Sequence, residues 1–134
     1  MSRLPSLVIA PEKVFFVIDK ARQFEVEDIL ADPDATDRDE TAAGSVAIDP
    51  IRVELRNYIR EMNEDEQIDL VALAWLGRGD GDLDTFTDLR DQATAAHNRR
   101  TASYLLGMPL LAAYLEDAMA AFGYSEEDFE PGST

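Results

Sequence analysis

From Ile68 to Leu76 the chain reads IDLVALAWL, and every residue but Asp69 is apolar. The run is far short of the roughly 20 residues needed to cross a bilayer. As a helix it is stable in water only if neighbours cover it on nearly all sides. The rest of the chain must therefore be arranged around it. Its lead-in is a helix start: Asn63 stands three residues before Glu66 at capping-box spacing, and Glu64, Asp65 and Glu66 put negative charge where the helix dipole favours it. Gly77 and Gly79 are expected to stop this helix, which gives a central element over about 64–76.

The flanking segments supply covers for it. Pro11 suits a first helical turn, and Val14, Val17, Ile18 and Ala21 follow at helical spacing, so 11–24 reads as a helix. Asp49 followed by Pro50 is a cap and first-turn proline, and Ile51, Leu55, Tyr58, Ile59 and Met62 then fall on one face. Asp84 or Thr85 is expected to cap a fourth helix with Phe86, Leu89, Ala93 and Ala96 inward. Thr101 can cap a short turn closed by Gly107. Pro109 is expected to open a last helix whose inner face is Leu111, Tyr114, Leu115, Ala118 and Phe122, with Gly123 at its end and Phe129 docking through a further turn.

These elements predict an all-α fold, a compact orthogonal or irregular bundle of about five main helices around the central apolar one. The chain of 134 residues reads as a single domain with an ordered core over about 7–30 and 48–130. Between them, 31–47 is acidic and poor in large apolar residues, and is expected to be a flexible loop. The tail 131–134 is expected to be loose.

Twenty-eight acids against 12 bases give a net charge of −16. Phosphate backbones and anionic lipid are repelled by such a surface, so nucleic acid and membrane are set aside as partners. A basic protein partner is favoured, with a homodimer as the other expectation. Solubility accounts for the same charge without a partner. The absence of cysteine removes disulfides, thiolate metal sites and thiol nucleophiles, and it suits the cytoplasm, as does an N-terminus without a signal peptide's pattern. No cofactor motif is present.

Three groups of residues carry possible chemistry. Asp80, Asp82, Asp84, Asp88 and Asp91 fall at positions 1, 3, 5, 9 and 12 of a calcium loop, but position 6 is Thr85 where the turn wants glycine, and position 12 is the short Asp91. A capped, solvated linker explains the same letters; calcium or magnesium is the alternative. Arg52, Arg56 and Arg60 recur every four residues along one flank of a helix, a basic rail that nearby acids are expected to neutralise or that docks an anion. The only histidine, His97, is followed by Asn98, Arg99 and Arg100, with Tyr104 one turn on, a polar cluster suited either to helix-end packing or to receiving an anion or a partner's carboxylate. No nucleophile elbow or phosphate-cradling glycine loop accompanies it.

The strings NEDEQIDLVALAWLGRGDG, AHNRRTASYLLGMPLLAAYLEDAMAAFG and PEKVFFVIDKARQF resemble the bacterial family called domain of unknown function 3775, over about 7–129. The resemblance implies no activity, cofactor or catalytic residue. The expectation is a non-catalytic protein-interaction module, with divalent-cation binding at Asp80–Asp91 or a small-anion or enzymatic site at His97–Arg100 as alternatives.

Overall fold

The computed structural model describes residues 6–30 and 50–125, with 24–30 described by their backbone only. These residues form six α-helices: α1 Pro11–Leu30, α2 Pro50–Arg60, α3 Glu64–Arg78, α4 Phe86–Ala96, α5 Thr101–Leu106 and α6 Leu111–Ala121, with a 3-10 turn at Leu83–Thr85. No strand occurs among the described residues, and none of their helices is long and apolar enough to cross a membrane. The expected acidic loop, the Asp49 cap, the Phe129 turn and the tail lie outside them.

The central helix is where the apolar run places it. In α3, Ile68, Leu70, Val71, Ala72, Leu73, Ala74 and Leu76 are all buried, covered chiefly by α6 and α4. Each fully buried leucine contributes about 1.5–3 kcal/mol of transfer free energy. Around α3, α1 adds Val14, Val17, Ile18 and Ala21, α2 adds Leu55 and Ile59, and α6 adds Leu111, Leu115, Ala118 and Met119. Phe86 of α4 meets Phe122 edge to face at 5.2 Å between ring centres.

The start of α3 follows its sequence signature. Asn63 accepts from the Glu66 N–H at 2.8 Å, and Glu66 accepts from the Asn63 N–H at 3.0 Å. Its end does not. Gly77 lies inside the helix, and Gly79, at φ 101°, is the left-handed cap. A Cβ on Gly77 would stand 1.7 Å from the Tyr114 carbonyl oxygen of α6. The glycine therefore sets how closely the two backbones cross and terminates nothing.

Four other boundaries are corrected. Asp82 caps the 3-10 turn, and Thr85 returns its hydroxyl to Asp82 and makes no cap bond to α4. Thr101 is the first residue of α5; its hydroxyl donates to the Asn98 carbonyl, while the Asn98 side chain accepts from the Arg100 N–H. Pro109 and Leu110 form a turn, and α6 begins at Leu111, whose N–H donates to Met108 O at 3.3 Å. α1 runs six residues past the expected end at Phe24.

Asp69, the polar exception in the apolar run, is 1% exposed. One carboxylate oxygen accepts from the backbone N–H groups of Val8 and Ile9; the other accepts from Arg90 Nε of α4 at 2.7 Å. Arg90 also donates to the Ser6 carbonyl and lies 4.9 Å over the Phe86 ring. The lead-in to α1, the centre of α3 and the middle of α4 are thus fastened at one point.

Two substitutions test this frame by urea denaturation. Asp69→Asn leaves the Arg90 charge without its carboxylate and is expected to cost about 2–4 kcal/mol, below the full value for a buried pair because Arg90 is partly solvated. Gly77→Ala is expected to cost about 3 kcal/mol by overpacking, whereas Gly79→Ala, with open space around it, should cost about 1–2 kcal/mol from its left-handed backbone.

Candidate functional site

A cleft of about 230 Å³ opens where α3, α4 and α5 meet. Val71 and Trp75 of α3 and Ala93 and Ala96 of α4 supply its apolar walls; His97, Asn98, Arg100, Thr101 and Tyr104 line the rest. Val71 and Trp75 stand four residues apart on one face of α3, so both side chains face the same opening. The alanines of α4 leave the space. Trp75 is half-buried and donates its indole N–H to the Tyr104 hydroxyl at 2.8 Å; Tyr104 is 43% exposed.

His97 divides this cleft from a shallower depression of about 370 Å³ lined by Arg60, Gln67, His97, Asn98, Arg99 and Ala102. Its ring is held by the first turns of α3. The Gln67 amide nitrogen donates to the carbonyls of Ile59 at 2.9 Å and Met62 at 3.2 Å, at the end of α2, so its oxygen faces His97 Nε2 at 2.8 Å. Only a protonated Nε2 can donate there, which fixes the tautomer of a neutral ring. Nδ1 then stands 3.8 Å from the Glu64 carboxylate.

The predicted cluster is brought together: His97, Asn98, Arg100 and Tyr104 share the cleft, while His97, Asn98 and Arg99 share the depression. The basic rail is divided. Arg52 donates to the Leu106 carbonyl at the end of α5, Arg60 reaches the depression, and Arg56 between them has a buried Nε that meets no hydrogen-bond partner among the described residues. The rail was expected to be neutralised by nearby acids. Among the described residues no carboxylate pairs with Arg56, Arg60, Arg99 or Arg100.

The aspartates are not brought together. Asp80 pairs with Arg78, Asp82 caps the 3-10 turn, and Asp84, Asp88 and Asp91 are exposed. Among the described residues no group of three or more carboxylates and imidazoles could hold a metal ion. Sequence reasoning did not place Val71, Gln67, Ala93 and Ala96 at a site; their only signal is that they lie on the helices flanking His97.

The charges that shift lie around the cleft's supporting helices. Glu66 is held below its ordinary value, first by the hydrogen bond from Lys13 of α1 and then, against the cost of burial, by the Asn63 N–H. The same bond raises Lys13. Burial raises Tyr58, whose ring packs on Phe16 at 4.2 Å. Arg78 is raised by its bond to Asp80, with Tyr104 adding to it.

Because Glu66 binds its proton less readily folded than unfolded, its contribution to stability is present above the ordinary value of 4.5 and is lost as pH falls through the lower folded value. The difference in urea midpoint between wild type and Glu66→Gln should shrink steadily from about pH 6 to about pH 3. A difference that stays constant over that range would contradict the assignment.

A family model described as "Protein of unknown function (DUF3775)" matches residues 52–124, which contain every residue of the cleft and the depression. No curated protein and no solved structure matches the chain.

Proposed function

The chain belongs to the DUF3775 family, and on that footing we propose that it is a non-catalytic protein-interaction module that receives an apolar side chain of its partner between α3, α4 and α5. The observation that carries this reading is the make-up of the cleft: a half-buried tryptophan and an exposed tyrosine, hydrogen-bonded to each other and flanked by Arg100. Tryptophan, tyrosine and arginine are the residues that dominate binding energy at protein interfaces. Size supports the same conclusion. At about 230 Å³ the cleft falls below the roughly 300–1,000 Å³ of sites for drug-sized ligands, and suits one anchoring side chain.

His97 serves as a wall in this reading. Its Nε2 is committed to Gln67, and Gln67 is committed to the end of α2, so the ring is a fixed spacer between cleft and depression. The module is assigned to the cytoplasm, which suits a chain without cysteine.

Ala96 is exposed and lines the cleft, so Ala96→Arg fills it from a position where the fold has no need of alanine. Tagged wild-type protein is expected to retain a specific protein from the cytosol of its source cell, and Ala96→Arg, with an unchanged melting temperature, is expected to lose it. Retention of the same protein by both would refute the cleft as the docking site.

A further inference from the structure

We infer that the docking segment carries a carboxylate directly beside its apolar anchor, and that Arg60 and Arg99 receive it in the depression across His97; this rests on the cleft reading above. The first support is charge. In a chain of net charge −16, Arg60 and Arg99 line one depression, and among the described residues neither has a carboxylate partner. Elsewhere among these residues Lys13, Lys20, Arg22, Arg78 and Arg90 all pair with acids.

Geometry is the second support. Cleft and depression share His97 and Asn98 in their linings, so the two adjoin across these residues. Neighbouring side chains of one peptide suit two adjoining recesses. Gln67 and Asn98 add neutral polar groups to the anion-receiving half, and the buried Nε of Arg56, without a hydrogen-bond partner among the described residues, lies one helical turn before Arg60. Glu64, exposed, stands 3.8 Å from His97 Nδ1 at the edge of the site.

A carboxylate is favoured over a phosphate group. The repulsion from an acidic protein grows with the charge of the ligand, so a single negative charge gains the same arginine contacts against a smaller opposing field. That opposing field acts at long range and is screened beyond about 8 Å at physiological salt, whereas the arginine contacts are not.

Trp75 is the only tryptophan, so its emission reports occupancy of the cleft. The probes are the capped dipeptides acetyl-Phe-Glu-amide and acetyl-Phe-Gln-amide, titrated to about 20 mM because a pair of side chains binds weakly. The glutamate probe is expected to change Trp75 emission saturably and to bind about tenfold more tightly than the glutamine probe. In the Arg60→Gln, Arg99→Gln double variant the two probes should bind alike, at the level of the glutamine probe on wild type. Both arginines are exposed, so the variant should keep the wild-type circular dichroism and melting temperature. Equal binding of the two probes to wild type would overturn the carboxylate inference and leave the cleft reading standing. Discrimination that survives in the double variant would also overturn it, since the carboxylate would then be received elsewhere. An emission unchanged by either probe would overturn both.

Discussion

The structure depends on the carboxylate of Asp69 being satisfied inside an apolar helix. A charge removed from water costs several kcal/mol unless its oxygens are met by hydrogen bonds and an opposite charge. Here two backbone N–H groups and one guanidinium meet it, and those donors sit 60, 61 and 21 residues away in the chain. Apolar packing tolerates small slips between helices, but this arrangement does not. A shift of α4 along α3 would remove Arg90 from Asp69, and with it the support of the lead-in to α1. The same register sets Ala93 and Ala96 opposite Val71 and Trp75, so the cleft is a consequence of where the charge is anchored.

Much of this was legible in the sequence because it is local. The Asn63–Glu66 box needs only residues three apart, and the apolar run needs only its own side chains; both stand where they were expected. Features decided by distant contact were not legible. Gly77 reads the same whether it ends a helix or lets another backbone approach, and only the position of Tyr114 separates the two. Thr101 and Pro109 sit where caps and first turns are common, yet Asn98 and Met108 supply the turn bonds instead. The six further residues of α1 carry Val26, Ile29 and Leu30, which suit a continued helix, and no glycine or proline among them marks where it ends.

The site divides in the same way. His97, Asn98, Arg99, Arg100 and Tyr104 are neighbours in sequence and could be grouped by inspection. Their apolar counterparts lie on two other helices, and no pattern connects Val71 with Ala96. Net charge bears only weakly on the basic rail. With 28 acids in the chain, neutralisation of Arg60 was the natural expectation; among the described residues no carboxylate reaches it, and an average over the sequence carries no information about which side chains converge. Placing Arg60 and Arg99 at one depression is the work of the α2–α3 turn and of the Asn98 turn, each fixed by hydrogen bonds of its own.

The hold that Asp69 has on Val8 and Ile9 bears on what counts as the self-sufficient unit. The stretch recognised by the family model begins at residue 52, after the lead-in and all of α1. Cut there, the fragment would bare the side of the bundle that Ile9, Val14, Val17, Ile18 and Ala21 now close, and would open a buried anion to solvent. The portion matched by the family model is therefore narrower than the portion that can stand by itself, and the N-terminal arm is part of the body it clasps.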